Sequence, residues 1–183
     1  MANTPSIVVY GLSAALGLAG CQHMSYTQPA RFASADMRAT SSASAANLNP
    51  LGTVRFTELQ NGNVRVEARI SGLKPNSEHG FHVHAVTDCS GDGAKTGGHF
   101  NPDNHAHGNP GEKARHAGAL FNLKTDASGV GILLQDVDTI SLNDGPYSIV
   151  GKPLIIHRDA DDYQSQPLGN AGPRVGCGVI ASQ

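Results

Sequence analysis

The chain has 183 residues, a formal net charge of −2 and a hydrophobic fraction of 39%, which together are typical of one globular domain with a modest core. Lysine and arginine total only 13 and form no basic run, which argues against a nucleic-acid partner. The 22 glycines and 10 prolines indicate many turns between short strands.

The N-terminus has the pattern of an export signal. Residues 7–19 are apolar or small, and this stretch is well short of the roughly 20 residues that span a bilayer. It ends in Leu18-Ala19-Gly20-Cys21, which resembles the cleavage box of a bacterial lipoprotein and predicts that Cys21 becomes the lipidated N-terminus. Because residues 1–5 carry no lysine or arginine, an ordinary secretory signal or a wrongly assigned start is the alternative.

Three segments follow from this interpretation. Residues 1–20 are the signal peptide, residues 21–36 are a flexible tether rich in small and polar residues, and residues 37–183 are the folded domain. His23 lies in the tether, and we assign it no role.

Short strands are predicted along the whole domain. A weak strand pattern, diluted by alanine and serine, lies within residues 37–47. Strict alternation of apolar and polar residues over 53–57 and 64–70 predicts two strands with one buried face, and Gln60-Asn61-Gly62-Asn63 between them predicts a hairpin turn. Further strands are predicted at 80–86, 118–124, 129–136, 147–156 and 175–180.

This series of elements predicts the fold class. Many short strands with turn-rich links and no convincing helix indicate an all-β fold, an antiparallel β-sandwich or flattened barrel. Two long segments without strands remain, residues 87–115 and 158–173. Because loops of this length in a compact domain are usually functional, we expect the site there.

Histidines are concentrated in one part of the chain. Eight of the nine lie between positions 79 and 157. His82 and His84 are two apart on a predicted strand, so their side chains point the same way. Imidazole pairs on a rigid face are suitable ligands for copper or zinc, although a solvated strand face can also carry two histidines.

Six sequence blocks between residues 52 and 180 carry a family resemblance. They are Gly80-Phe81-His82-Val83-His84, Gly97-Gly98-His99-Phe100-Asn101-Pro102, His107-Gly108, Arg115-His116-Ala117-Gly118, residues 151–157 and residues 169–180. In order and spacing they resemble the copper/zinc superoxide dismutases, particularly the bacterial secreted members. The resemblance implies a Greek-key β-sandwich, dismutation of superoxide, and copper and zinc as cofactors.

The resemblance also implies site residues. The implied copper ligands are His82, His84, His99 and His157, and the implied zinc ligands are His99, His107 and His116. His99 matches the histidine that bridges both metals and takes part in proton delivery. The family has an aspartate as the fourth zinc ligand, but Ala119 stands at this position, so zinc binding is expected to be weak or absent unless Asp103 or His105 substitutes.

Two further residues match functional positions of the family. Arg174 matches the arginine that attracts and orients superoxide beside copper, and Asp161 matches the aspartate that links the two metal sites through hydrogen bonds. Without the resemblance, a surface arginine and a solvated loop carboxylate would be the simpler interpretations. His79 is interpreted as a structural, hydrogen-bonding histidine.

Three cysteines are an awkward number for an exported protein, but lipidation of Cys21 leaves two. The resemblance implies that Cys89 and Cys177 form a disulfide, which requires an oxidising compartment. We therefore expect a lipid-anchored protein of the bacterial periplasm or cell envelope, which meets the membrane only through its N-terminus. Its partner is superoxide, and a homodimer is an open alternative to a monomer.

A copper-binding or copper-buffering protein on the same scaffold is the alternative function, because the zinc ligand set is incomplete. Arg174 and the complete copper set argue against it, since a copper carrier needs no anion-guiding arginine. A purely structural, metal-free sandwich would leave the histidine cluster unexplained.

Overall fold

The computed structural model describes Met1 and residues 30–183. Most of the regular structure consists of antiparallel strands, with one short α-helix and a 3-10 helix at Ala94–Thr96. The elements are β1 Phe32–Ala39, α1 Ser41–Ala45, β2 Leu51–Glu58, β3 Val64–Ser71, β4 Glu78–His79, β5 Phe81–Val83, β6 Leu123–Thr125, β7 Gly131–Val137, β8 Pro153–His157, β9 Arg174–Val179 and β10 Ala181–Ser182.

The strands form one strongly curved sheet in the order β4-β6-β7-β3-β2-β1-β9-β8-β5, and β10 pairs with β1. The two strands at the ends of this order, β4 and β5, are separated in the chain only by Gly80. The sheet therefore nearly closes on itself, which confirms the predicted antiparallel β-sandwich or flattened barrel with its Greek-key connections.

The core lies between the inward faces of the strands. In β3, Val64, Val66, Ala68 and Ile70 are buried while the residues between them are partly or fully exposed. This is the alternation that the sequence shows, and it places one apolar row of side chains inside the barrel. Burying one such valine or isoleucine side chain contributes roughly 1.5–3 kcal/mol.

The predicted hairpin is confirmed. Strands β2 and β3 pair in register from Leu51 opposite Ser71 to Glu58 opposite Val64. Gly62 in the turn has a φ of +85°, a left-handed conformation that glycine adopts at low cost.

The predicted start of the domain is wrong. Residues 32–36, which we expected in the tether, form the first part of β1, and the weak strand predicted within residues 37–47 gives way after Ala39 to helix α1. Strand β1 buries Ala33, Ala35 and Met37, but such small residues produce little hydrophobic contrast in the sequence. The predicted signal peptide and Cys21 lie outside the described residues, as does the tether up to residue 29.

Several predicted strands are shorter than the apolar patterns suggested. The segment predicted at 80–86 is a regular strand only over β5, 118–124 only at its end in β6, and 147–156 only from Pro153 onward. The remaining parts make only isolated bridges, such as His82 with Ala119, yet they are largely buried, for example at Ala119, Leu120 and Ile149. The apolar patterns therefore extend beyond the hydrogen-bonded strands, because the residues next to these strands are also buried. Both residues of the short strand β10 are exposed, so no apolar pattern in the sequence predicts this strand.

Both predicted long loops are present, one between β5 and β6 and one between β8 and β9. Each begins after a strand that carries a histidine of the site, His82 on β5 and His157 on β8. The two loops meet where the N–H of His107 donates to the side-chain oxygen of Gln166 at 2.9 Å. None of the helices in the described part of the chain is long and apolar enough to cross a membrane.

Candidate metal centre

Four buried histidines meet at one side of the barrel. They are His82, His84, His99 and His157, and one ligand nitrogen from each lies within 4.8 Å of the others. This is the set expected for copper. Four neutral imidazoles are a ligand set that suits Cu(II).

Backbone pairing explains how residues from distant parts of the chain meet. His82 lies on β5, and the segment that carries His99 returns beside it: His84 and His99 form an antiparallel bridge, and the N–H of Phe100 donates to the carbonyl of Val83 at 2.8 Å. The fourth histidine, His157, ends β8, which pairs with β5. The site therefore belongs to the sheet itself, with one loop segment added to it.

A bulge orients His157. Ile156 pairs with Gly176 of β9, but His157 pairs with Arg174, so the register shifts by one residue between them. Bulges of this kind re-aim side chains next to functional sites. The shift makes His157 and Arg174 direct cross-strand neighbours.

Three of the four rings of this set are oriented by a hydrogen bond that one nitrogen donates. His84 Nδ1 donates to the carbonyl of Gly97 at 3.0 Å, His157 Nδ1 donates to that of Gly172 at 2.9 Å, and His82 Nε2 donates to Asp161 Oδ2 at 2.7 Å. A hydrogen bond from one ring nitrogen fixes the tautomer, so the other nitrogen carries a lone pair.

The opposite nitrogens have no hydrogen-bond partner within the described part of the chain. They are buried, and they include His82 Nδ1, His84 Nε2, His99 Nε2, His107 Nδ1 and His157 Nε2. A buried nitrogen without a partner is costly in a folded protein, and metal coordination removes this cost. The donor set therefore fits a metal ion that prefers imidazole nitrogen.

Burial keeps these rings neutral. It lowers the pKa of His82 and His84 well below the usual value, and the neighbouring histidines lower it further. Burial also lowers the pKa of His157 to about 4, and it strongly lowers the pKa of His99. Neutral imidazole is the form that binds metal, so the site is ready to bind at neutral pH.

A second cluster shares one histidine with the first. It consists of His99, His107 and His116, which are all buried, with ligand atoms within 4.8 Å of one another. The Nδ1 atoms of His99 and His116 lie 3.1 Å apart, so His99 turns Nδ1 toward this cluster and leaves Nε2 for the first. One ring thus connects the two sets, as we expected for His99.

The second cluster has no carboxylate among the described residues. Ala119 stands where the fourth ligand was expected, and neither proposed substitute joins the group. Asp103 instead accepts a hydrogen bond from the hydroxyl of Tyr147 at 2.7 Å, and His105 Nδ1 donates to the carbonyl of Arg115 at 3.2 Å. Three histidines with an open fourth position can still hold zinc, because water can complete a tetrahedral site.

Asp161 joins the two clusters. Its Oδ2 accepts from His82 Nε2 at 2.7 Å, and its Oδ1 accepts from His107 Nε2 at 2.9 Å. The carboxylate is 3% exposed, so it is not the solvated loop acid of the simpler interpretation. It orients one histidine of each set.

Arg174 lies at the edge of the first cluster. Its guanidinium donates to three backbone carbonyls: Nη1 to Gly93 at 2.7 Å and to Ala94 at 2.6 Å, and Nη2 to Gly97 at 2.6 Å. A cleft of about 180 Å³ opens beside it and is lined by His157 and residues of the second long loop. The arginine is therefore held rigidly at an opening that is large enough for a small anion.

The disulfide between Cys89 and Cys177 is confirmed. It ties the first long loop to β9 three residues after Arg174, and so connects the loop that supplies the arginine's carbonyl partners to the strand that carries it. Closing a loop of 88 residues contributes about 4.6 kcal/mol on the chain-entropy model.

Three further polar residues support the site, and no motif in the sequence marks them. Asn122 and Tyr163 hold Asp161, and Gln166 accepts from the N–H of His107 at 2.9 Å through its side-chain oxygen. None of them stands in a metal-ligand spacing. By contrast, His79 behaves as predicted, because it is buried and its Nδ1 donates to the carbonyl of His157 at 2.8 Å.

Comparisons with known proteins agree with this geometry. The family model described as copper/zinc superoxide dismutase (SODC) matches residues 51–180. Superoxide dismutase [Cu-Zn] 3 of Arabidopsis thaliana is 41% identical over 145 residues, which cover 76% of this chain and 87% of the plant protein. Superoxide dismutase [Cu-Zn] of Paramecium bursaria Chlorella virus 1 is 42% identical over 135 residues, which cover 70% of this chain and 71% of the viral protein.

Two solved structures are also similar. The clock protein EA4 has a TM-score of 0.72 and 39% identity and covers 82% of this chain and 93% of its own. A double mutant of a SOD-like protein from Bacillus subtilis has a TM-score of 0.71 and 30% identity, with 81% of this chain and 96% of its own covered. With the matched family model and these relatives, the chain belongs to the copper/zinc superoxide dismutase family.

Proposed function

We propose that this protein is a superoxide dismutase, which converts two superoxide anions and two protons into one O₂ and one H₂O₂. The observation that carries the proposal is the convergence of four buried imidazoles, each with one nitrogen free for a metal, beside the fixed guanidinium of Arg174. Bound copper would supply the redox chemistry, because it accepts an electron from one superoxide and returns it to a second.

The chain's own residues perform the other parts of the reaction. His82, His84 and His157 would hold copper by the nitrogens that their hydrogen bonds leave free. Arg174 attracts superoxide through the cleft beside His157 and orients it, since a fixed positive charge at the opening of a buried site increases the encounter rate.

His99 handles one of the protons. Its Nε2 faces the copper set, and its Nδ1 faces the second cluster. With a metal bound, His99 would hold it through Nε2, and the same nitrogen, when not engaged by the metal, could carry a proton to the second superoxide. Bulk solvent supplies the other proton, so that the peroxide product leaves as H₂O₂.

A second candidate function is copper binding or buffering with little turnover. The absent carboxylate at Ala119 favours it, because a protein that only stores copper does not need the zinc set. The fixed position of Arg174 disfavours it, because the arginine is not itself a metal ligand in either cluster.

Metal analysis combined with an activity assay separates the two functions. We expect purified protein loaded with copper to bind one copper per chain and to consume superoxide, and metal-free protein to be inactive. Stoichiometric copper without superoxide consumption would leave the buffering function. No tight copper binding at all would overturn both.

We further propose that the protein is exported and anchored by a lipid at Cys21 in a bacterial periplasm or cell envelope. The support is the Leu18-Ala19-Gly20-Cys21 box after an apolar stretch too short to span a bilayer. The disulfide between Cys89 and Cys177 is also typical of proteins in oxidising compartments.

Labelling with palmitate during expression in a bacterium tests the anchor. We expect wild-type protein to be labelled and to sediment with membranes, and Cys21→Ala to be unlabelled. A version in which a cleavable secretory signal replaces residues 1–21 should be soluble and equally active. Unlabelled wild-type protein in the soluble fraction would contradict the anchor without affecting the dismutase proposal.

A further inference from the structure

Asp161 is held by its main chain as well as by its carboxylate. Its N–H donates to Asn122 Oδ1 at 2.9 Å, and its carbonyl accepts from Asn122 Nδ2 at 3.0 Å. Asn122 is 4% exposed and directly precedes β6, so it belongs to the wall of the barrel. One side chain of the wall therefore fixes the loop residue that orients both clusters.

Tyr163 completes this arrangement. Its N–H donates to Asp161 Oδ1 at 2.7 Å, and its hydroxyl oxygen accepts from the N–H of Asn122 at 2.8 Å. Its ring packs edge-on against Phe121, with ring centroids 6.3 Å apart. Asp161, Asn122 and Tyr163 thus form a closed ring of hydrogen bonds in which each residue contacts the other two.

The backbone of Tyr163 shows that this position is constrained. Its φ is +59°, in the left-handed region that a tyrosine occupies only at a cost in free energy. Such conformations persist where the surroundings over-determine them, and they cluster at functional sites. The hydrogen bonds to Asp161 and Asn122 are the contacts that offset this cost.

The ring of hydrogen bonds matters because the zinc ligand set is incomplete. Where a zinc ion is held strongly, it fixes its histidine ligands, and His107 in turn would fix Asp161. Here His107 belongs to a three-histidine cluster without a carboxylate, so zinc would hold His107, and through it Asp161, less firmly. Asp161 nevertheless has to be in place, because it orients His82 of the copper set.

We propose that Tyr163, together with Asn122, is a positioning residue that holds Asp161, and through it His82, in the copper-binding arrangement whether or not zinc is bound. This inference rests on the proposed copper site. If it is correct, the protein alone sets the arrangement of the copper-binding histidines, and bound zinc does not change it.

Tyr163→Phe is the sharpest variant, because it removes one hydroxyl, keeps the ring against Phe121 and leaves the N–H of Asn122 without its partner. Tyr147→Phe is the matched control, since it also removes one hydroxyl with a single hydrogen bond, to Asp103, away from Asp161. Asn122→Ala is a second variant, which removes both hydrogen bonds to the main chain of Asp161.

Two readouts besides activity test the inference, each in zinc-free and zinc-loaded protein: the copper dissociation constant by chelator competition, and the Cu(II) electron paramagnetic resonance spectrum. We expect wild type and Tyr147→Phe to show the same spectrum with and without zinc. Tyr163→Phe and Asn122→Ala should bind copper about tenfold more weakly in the zinc-free state, as is typical when an outer hydrogen bond to a ligand is lost. Their spectra should change when zinc is added.

The inference is overturned if zinc-free Tyr163→Phe matches wild type in both readouts, or if the wild-type spectrum depends on zinc as much as that of the variant. Thermal unfolding of the metal-free proteins shows whether Tyr163→Phe has a general folding defect. If it has one, the same two readouts on Asn122→Ala test the inference instead. Absence of copper binding by wild type is a different result, since it removes the proposed function and this inference with it.

Discussion

Arg174 and His84 share one acceptor, the carbonyl oxygen of Gly97. Nη2 of the arginine donates to it at 2.6 Å, and Nδ1 of the histidine donates to it at 3.0 Å. The group that would attract superoxide and a ligand that would hold copper are therefore positioned by the same atom. Because Gly97 precedes His99 by two residues in the loop that the disulfide anchors, the backbone of this loop sets the position of the guanidinium relative to the histidine ring.

Arg174→Glu should slow superoxide turnover about 10-fold to 100-fold at low ionic strength, because the anion then meets a like charge at the opening. Steady-state rates over a range of salt concentrations measure this effect, which should diminish as salt screens the charge. Arg69→Glu is the control, since it changes the net charge equally on an exposed strand position. Equal slowing in both variants would mean that overall charge, and not the position of Arg174, controls the rate.

Ala119→Asp should strengthen zinc binding, because it adds an anionic ligand to a three-histidine cluster. Competition with a zinc chelator measures the affinity, and the melting temperature in zinc should rise with it, since binding to the native state stabilises that state. Ala119 is fully buried, so Ala119→Asn is the control for added volume. If wild type already holds zinc as tightly as Ala119→Asp, another group completes the site.

Gly169→Ala should lower both stability and metal affinity. Gly169 has a φ of +65°, and a Cβ there would overlap the Asp161 carboxylate and contact His107 Nε2. Gly62→Ala is a matched control, because its φ is +85° but no atom lies within 4 Å of the added Cβ. The control should lose about 1 kcal/mol of unfolding free energy from backbone strain alone.

Denaturant titrations and copper competition on the two glycine variants check this prediction. Gly169→Ala should lose more unfolding free energy than Gly62→Ala, and it alone should bind copper more weakly. Equal losses, with copper affinity unchanged, would contradict the close packing of the second long loop over Asp161.

The metal-free protein should lose stability as the pH falls from about 6.5 to about 4. The pKa of folded His157 is about 4, below the usual value of 6.5, so the unfolded chain binds more protons in this interval. Stability is therefore fully present above about pH 6.5 and decreases as the pH falls, by on the order of 3 kcal/mol for His157 alone, at about 1.4 kcal/mol per pKa unit.

The pKa values of His82, His84, His99 and His116 are lowered in the same direction. Chemical denaturation of chelator-treated protein at pH 7.5, 6 and 5 measures the slope. The carboxylates with lowered pKa titrate below this interval, so they do not account for it. An unfolding free energy that stays constant from pH 7.5 to 5 would show that the buried histidines protonate as freely in the folded as in the unfolded protein.

The parts of the fold that were predictable are those with strong period-2 patterns. Strand β3 and its hairpin with β2 alternate large apolar and polar residues, and both were found where expected. Strand β1 alternates alanine and methionine with small or polar residues, and the composition of its first residues therefore predicts a tether instead of a strand. Local composition carries little information where a core position is filled by alanine.

For the site, the sequence was informative about direct ligands and uninformative about their support. The histidines of both clusters stand in motif spacings, and the structure brings them together. Asn122 makes two hydrogen bonds to the main chain of Asp161 across 39 positions in the chain, a relationship that only the folded barrel creates. The N–H of Tyr163 bonds to Asp161 across 2 positions. Polar residues of this kind have no pattern in one sequence.

The central claim, a copper held by four histidines that turns over superoxide, is tested most directly by comparing His157→Ala with His105→Ala. His157 belongs to the four-histidine set, while His105 belongs to neither cluster. Both are loaded with copper, and their bound copper and rate of superoxide consumption per chain are measured. The account predicts that His157→Ala loses tight copper binding and nearly all activity while His105→Ala retains both; full copper occupancy and near-normal turnover in His157→Ala would contradict it.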